Sequence, residues 1–464
     1  TEEQYEKVQS LSSKLISIIN ETARNHDITT EAVLVGSVAK GTWLSGKADI
    51  DIFIKFPLSI KEDDLKRYGL FLGHECIKKM QGNYEERYAA HPYVTGFIEG
   101  YEIDFVPCYD IKDSEQLKSA VDRTILHTEY IKKNLKIEQL DEILLLKKFM
   151  ESIKTYGAEF KVGGFSGYLC ELLILYYNSF KEVLNAAANE WLPNYKIDLE
   201  KYRTGELFSE PLVVIDPTDK NRNVSAALTI QKMSEFIVAA RKFVEFSGPR
   251  NLQFRTASGN FIESPSDDYF FQKIPEFNLN YIKNELESRG TKTFLLIFKS
   301  PEVPADALYP QIKKTENSLR KILEREDFKI FNSSSWTDEN NYVIILLEFA
   351  IWKLPGIKKH YGPYVWSWNH QKKFLDKYKN KAYVEEDRLV AEIERRYKDV
   401  ESLLRDILVE NKIEFLKFGK HIKNEILKEH QIMDILEFLG SKKCNEDMML
   451  FFYEYLNKNV YLWR

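Results

Sequence analysis

One segment constrains this chain more than any other: Asp49-Ile50-Asp51-Ile52-Phe53-Ile54. Its carboxylates alternate with β-branched residues, which is the two-residue period of a strand. Residues two apart on a strand share a face and sit about 6.6 Å apart along it. Asp49 and Asp51 therefore present two carboxylates together, while Ile50 and Ile52 go to the opposite, buried face. So apolar a strand belongs in the middle of a sheet, and burying carboxylates there without a cation would be costly. Two further segments frame it. Ala32-Val33-Leu34-Val35 ends in Gly36-Ser37, a buried strand entering a helix through a small-residue corner. Tyr101 to Val106 reads as another strand, with Asp104 between Ile103 and Phe105, and is expected to stop at Pro107.

A D-x-D pair alone is more often the solvated face of an edge strand. The third carboxylate and the Gly-Ser corner tip the reading toward a metal site. Three carboxylates on neighbouring strands make an oxygen cage for hard divalent cations. Two such ions, roughly 4 Å apart, can clamp the attacking and leaving oxygens of an in-line phosphoryl displacement. The backbone N–H groups of Gly36 and Ser37 and the Ser37 hydroxyl, at a helix N-terminus, suit a triphosphate.

At 464 residues the chain is expected to hold two to four domains. Its 66 basic against 71 acidic side chains leave a net charge of −5, which neither requires nor excludes a nucleic-acid partner, since clustered basic residues suffice. Cys76, Cys108, Cys170 and Cys444 are scattered, against a disulfide framework or structural zinc. The opening TEEQYEKVQS has no basic region leading into an apolar stretch, and no run approaches the roughly 20 apolar residues of a membrane span. A soluble, cytoplasmic protein without a membrane partner is expected. Tyr5, Val8, Leu11, Leu15, Ile18 and Ile19 mark an amphipathic first helix. From Ile137 to Phe246 the pattern is helical, including Leu169 to Ala188, and Ser247 to Pro275 reads as a linker or long loop. A β-α-β-β order follows, with a strand at Thr293–Phe298, a helix bearing Leu308, Ile312, Leu319, Ile322 and Leu323, and strands near Phe328–Phe331 and Tyr342–Phe349. That order predicts a small sheet with helices on one face. From about Gln371 the chain reads as helical and densely charged.

Gly36-Ser37 with Lys40, followed by Gly46-x-x-Asp49-x-Asp51, resembles the signature of the DNA polymerase β-like nucleotidyltransferase superfamily. Narrower segments go further: His91-Pro92-Tyr93-Val94, the run from Asp104 to Tyr109, Ala120-Val121-Asp122-Arg123-Thr124 with His127, and Phe165-Ser166-Gly167-Tyr168-Leu169-Cys170-Glu171. With Asp216-Pro217-Thr218-Asp219 and Arg222-Asn223-Val224 they are similar to the archaeal, class I CCA-adding enzymes. The likeness is dense from about residue 30 to 230 and thinner at Leu308-Tyr309-Pro310-Gln311, Gly362-Pro363 and Gly419-Lys420. Lys40 stands where arginine is common, keeping the charge but losing the bidentate fork.

The resemblance implies an α+β multidomain fold: a polymerase β-like nucleotidyltransferase palm of mixed sheet and helices at 1–135, a helical neck at 136–250, a small β-α-β-β body at 251–370 and a helical, tRNA-binding tail at 371–464. It implies template-independent addition and repair of the tRNA 3′-terminal CCA from CTP and ATP, with pyrophosphate released. Asp49, Asp51 and Asp104 would be catalytic and would hold two Mg2+ ions. Gly36, Ser37, Lys40, His127, Lys147 and Tyr156 would hold the triphosphate, and Arg222 would read the base edge. His91, Tyr93, Arg123, Thr124, Lys417 and Lys420 are candidates for RNA contact, and a homodimer stays open. Read singly, His127 is a loop histidine, Lys147 a solvated helix charge, Tyr156 a core aromatic and Arg222 a partner of Asp219. A poly(A) polymerase or oligoadenylate synthetase shares the chemistry, and a silent RNA-binding protein could keep the fold; the intact third carboxylate speaks against the latter.

Overall fold

The computed structural model describes residues 2–46, 48–88, 91–247, 270–271, 276–441 and 443–462. They form two compact units, Thr1–Lys273 with Tyr461–Arg464, and Ile274–Val460. The Ser247–Pro275 stretch, expected as a linker, lies outside the described residues apart from Ser247, Phe270 and Phe271.

The first unit opens with α1 (Glu2–Asn25), whose buried Val8, Leu11, Leu15 and Ile19 recur at steps of three and four. β1 (Glu31–Val35) runs into α2 (Gly36–Lys40), and β2 (Ile50–Phe56) leads to α3 (Glu62–Lys79). β3 (Asn83–Tyr88), β4 (Pro92–Ile98) and β5 (Tyr101–Tyr109) complete a mixed sheet ordered β1-β2-β5-β4-β3. β2 and β5 are parallel neighbours in its interior, where their apolar runs are buried. Ile50, Ile52, Ile54 and Phe56 pack into the core shared with α1 and α3. On the opposite face Phe53, Val106 and Cys108 meet Ile125 of α4 (Arg123–Asn134).

Pro107 does not end β5, which continues to Tyr109. β4 pairs with β5 only as far as Phe105, so beyond it one side of the strand needs no N–H donor. Gly69 of α3 makes room for the ring, since a Cβ there would lie 2.5 Å from that of Pro107.

The following segment contains α5 (Gln139–Ser152), α6 (Gly167–Tyr177) and α7 (Phe180–Asn189). The helical stretch expected from Leu169 to Ala188 is thus two helices. Asn178 adopts a left-handed φ of 72°, and Ser179 caps α7 by accepting from the Glu182 N–H at 3.2 Å. The segment is not wholly helical either. β6 (Tyr195–Ile197), β7 (Leu212–Asp216) and β8 (Asp219–Asn223) form a three-stranded sheet before α8 (Ile230–Ser247). Leu212-Val213-Val214-Ile215 is a short, wholly buried run rich in β-branched residues, and strand packing overrides the helical surroundings.

In the second unit α9 (Leu279–Ser288) precedes the expected order: β9 (Lys292–Lys299), α10 (Ala305–Arg325), β10 (Lys329–Thr337) and β11 (Tyr342–Ile351). β12 (Ile357–Tyr364), α11 (Trp368–Tyr378), β13 (Ala382–Glu385) and β14 (Arg388–Glu394) follow. Then come α12 (Val400–Ile407), α13 (Glu410–Ile413), α14 (Lys420–Lys428), β15 (His430–Asp434), α15 (Ile435–Leu439) and α16 (Glu446–Leu456). The larger sheet is ordered β10-β11-β9-β15. Helices cover both of its faces rather than one. Phe294, Leu296 and Phe298 pack with Leu308, Ile312, Leu319 and Leu323 of α10, while Leu295 and Ile297 pack with Ile282, Phe438 and Phe452. An unbroken apolar run such as Phe294–Phe298 demands burial on both sides.

The stretch from 371 is not purely helical. β12, β14 and β13 form a sheet over Phe374 of α11, and β15 joins the main sheet. Charged residues at the exposed positions of Arg388–Glu394 hide its two-residue period. The boundary expected at 370 falls inside α11.

Candidate active site

The parallel register of β2 and β5 sets Asp51 directly beside Asp104, and Asp49 lies two residues ahead of Asp51. Gly36, at the end of β1, closes the other side. A Cβ on it would stand 2.1 Å from Asp51 Oδ2, and its φ of 72° is left-handed. No other residue satisfies both demands. The Gly36 N–H donates to Thr128 Oγ1 at 3.3 Å. Asp104 Oδ1 accepts from the Thr95 hydroxyl at 2.6 Å, from the register partner on β4. Thr95 is fully buried. Sequence reasoning missed it, although it stands one residue beyond His91-Pro92-Tyr93-Val94.

Burial, then Asp104 and Asp49, push the Asp51 carboxyl from 3.8 up to about 7, with Lys40 only partly offsetting them. Asp104 is also raised, by burial above all, while the Thr95 hydrogen bond and Arg87 pull it down. A carboxylate cluster so reluctant to ionise fits a cation, whose charge would remove the penalty. Among the described residues, no three His, Cys, Asp or Glu side chains are already gathered to hold a metal ion.

A carboxyl that holds its proton more tightly folded than unfolded stabilises the fold at low pH, and that contribution is lost as pH rises from 3.8 through about 7. In chelator at about pH 8, Asp51→Asn is therefore expected to melt several degrees above the native chain; near pH 4 the two should melt alike. Equal melting temperatures at both pH values would mean that Asp51 carries no such strain.

A second cluster centres on Glu171 of α6, which is fully buried. Lys40 Nζ lies 2.6 Å from its Oε2, and the Thr42 hydroxyl donates to its Oε1 at 2.5 Å. Lys147, also buried, donates to the Thr42 carbonyl at 2.8 Å and lies 3.4 Å from Glu171 Oε1. Lys147 is thus no solvated helix charge. Burial lowers its basicity despite Glu171. Burial also opposes ionisation of Glu171, but Lys40 and Lys147 outweigh it and hold the carboxyl below its ordinary value. A Cβ on Gly167 would lie 3.1 Å from the Tyr156 hydroxyl and 3.4 Å from Lys147 Nζ, which brings Tyr156 to the same place. Ser37 is half-buried in α2, its carbonyl accepting from Thr42 N–H at 3.0 Å.

The third cluster forms around Asp216, at the end of β7. Its Oδ2 accepts from Arg222 Nη1 at 2.8 Å and meets His127 Nε2 at 2.9 Å. Its Oδ1 accepts from the Thr218 N–H and hydroxyl and from the Tyr168 hydroxyl. His127 stacks on Tyr168, with centroids 3.9 Å apart. Burial lowers the His127 basicity, and its hydrogen bond to Asp216 works against that. Arg222 therefore pairs with Asp216 rather than Asp219, which faces Arg123 Nε at 3.5 Å.

The remaining candidates are dispersed. His91 is buried, 3.9 Å from Glu62. Tyr93 is half-buried near Asp104 and Arg87. Thr124 is half-buried, and its carbonyl accepts from Thr128. Lys417 and Lys420 belong to the second unit, where both are exposed beside buried Phe418. No helix among the described residues is long and apolar enough to cross a membrane.

The segment that carries the paired carboxylates and the Gly-Ser corner, residues 15–127, matches the family model described as a nucleotidyltransferase domain. Residues 141–255 match the second domain of tRNA nucleotidyltransferase, and 289–434 the C-terminal domain of the CCA-adding enzyme. The CCA-adding enzyme of Methanothermobacter thermautotrophicus is 48% identical, over 98% of this chain and 95% of that protein. Those of Methanosarcina mazei and Methanocaldococcus jannaschii are each 37% identical, over 90% and 88% of this chain and 87% and 88% of theirs. Among solved structures, a cytoplasmic RNA terminal U-transferase aligns with a TM-score of 0.41 and 14% identity, over 54% of this chain and 90% of that one. The chain belongs to the CCA-adding enzyme family.

Proposed function

We propose that the protein adds cytidine and adenosine nucleotides, without a nucleic-acid template, to the 3′ end of tRNA, consuming CTP and ATP and releasing pyrophosphate. The observation that carries the reading is the in-register pair Asp51 and Asp104 beside Gly36, in a chain similar along nearly its whole length to CCA-adding enzymes. Asp49, Asp51 and Asp104 would hold two Mg2+ ions, which when bound polarise the attacking and leaving oxygens and offset developing charge.

The chain's own groups do the rest. Thr95 donates to Asp104 Oδ1 and fixes the orientation of the carboxylate, which would help to deprotonate the primer 3′-hydroxyl. Lys40 and Lys147 bring two positive charges against one from Glu171, a surplus that an anionic triphosphate would complete. Ser37, Tyr156 and His127 add donors around the phosphates. Arg222 offers the edge of its guanidinium to the base. Exposed Lys417 and Lys420 contact phosphates of the RNA, which positions it without reading its sequence.

The test is to incubate the protein with tRNA transcripts ending at the discriminator base and each labelled nucleotide in turn. CTP alone should extend the RNA by two residues, CTP with ATP by three, and UTP or GTP by none. Long adenosine tails would instead mark a poly(A) polymerase, and no extension with any nucleotide would leave a silent RNA-binding protein.

A further inference from the structure

Asp216 joins two parts of the site that the reaction uses separately. Its side chain is 0% exposed, that of His127 13% and that of Arg222 33%, so the three run from the interior to the surface in that order. One oxygen, Oδ2, serves both His127 and Arg222, while Oδ1 is fixed by Thr218 and Tyr168. The carboxylate has no freedom to turn. Its position is set by the β7–β8 hairpin, in which Asp216 and Asp219 are register partners and Arg222 follows on β8. Burial opposes its ionisation, but His127 and Thr218 outweigh that and hold the carboxyl far below the ordinary range. These donors favour its anionic form.

The guanidinium it grips is held at one end. Arg222 gives Nη1 to Asp216, and among the described residues its Nε and Nη2 make no hydrogen bond. A planar fork fixed at one nitrogen presents the others in a set direction, whereas an unanchored arginine would sample many. We infer that Asp216 is a specificity-determining positioning residue, which selects the base through Arg222 without touching it. The inference rests on the reading that Arg222 meets the base edge. Selection of this kind depends on donors held in place, because a mismatched base then leaves a directed donor unpaired.

The test uses the full chain with Asp216→Asn, Arg222→Ala and the double variant, measuring kcat/KM for all four nucleoside triphosphates on tRNA lacking its end. In Asp216→Asn the amide nitrogen either replaces the acceptor facing Arg222 or disrupts the Thr218 side. Discrimination of CTP and ATP over UTP and GTP should fall about tenfold or more, mainly through KM. The double variant should discriminate no worse than Arg222→Ala. An equal loss with all four nucleotides would make Asp216 structural only and overturn the inference. Unchanged discrimination in Arg222→Ala would instead sink the base-reading role of Arg222, and the inference with it. Should Asp216→Asn fail to fold, Arg222→Lys decides. A flexible ammonium cannot hold Asp216 and present a directed fork, so it should discriminate as poorly as Arg222→Ala; native discrimination would overturn the inference.

Discussion

Asp51→Asn should abolish nucleotide transfer while leaving the fold intact. A neutral amide is a poor ligand for a hard cation and cannot balance its charge. Asp104→Asn should behave alike, because the two residues stand in register on adjacent strands and serve one site. Less than about a tenth of native turnover is expected, a barrier higher by more than roughly 1.4 kcal/mol. Burial and neighbouring carboxylates already raise Asp51 to about 7, so its loss relieves the metal-free fold. The variant should thus be inactive yet at least as stable as the native chain, a combination that misfolding cannot produce. Steady-state transfer and thermal melting in chelator, measured side by side, check it.

Gly36→Ala is the second severe substitution. The new methyl would arrive 2.1 Å from Asp51 Oδ2, and φ of 72° strains any L side chain. Something must shift, and the nearest group is a carboxylate the reaction needs in place. Transfer should fall about a hundredfold or more, with roughly 1–2 kcal/mol lost from stability. Gly46→Ala is the control. Gly46 also has a left-handed φ, 79°, but a Cβ there meets nothing within 4 Å. It should lose a similar amount of stability and little activity. Equal losses of activity in both would show that the contact with Asp51 does not matter.

The carboxylates were legible in the sequence because a strand's two-residue period turns spacing directly into geometry. Asp51 and the apolar residues around it mark the strand as interior, although β2 begins at Ile50 and leaves Asp49 just ahead of it. The partners of the candidate residues were not legible. Thr95, Glu171 and Asp216 act across 9, 131 and 6 to 89 positions. Nothing local in a threonine, a glutamate or an aspartate says which distant cation or carboxylate it meets. Lys147 illustrates the point: its residue type suggests a solvated charge, and only the fold buries it on Thr42 and Glu171. The same limit applied to architecture. The amphipathic stripes of α1 and α10 and the order β9-α10-β10-β11 followed from periodicity. The break at Asn178, the short strands β6 to β8 and the pairing of β15 with β9 depend on contacts far along the chain. Pro107 inside β5 is legible only once β4 is known to stop pairing at Phe105.

The most direct test of a metal-held phosphate at the carboxylates replaces one α-phosphate oxygen of CTP by sulfur. Mg2+ binds sulfur poorly, whereas Mn2+ or Cd2+ tolerates it. If the cations at Asp49, Asp51 and Asp104 touch that phosphate, one of the two diastereomers should react at least roughly tenfold more slowly with Mg2+, and Mn2+ or Cd2+ should restore its rate. Two diastereomers that react alike in every metal, or a slow one that no softer metal restores, would contradict the account.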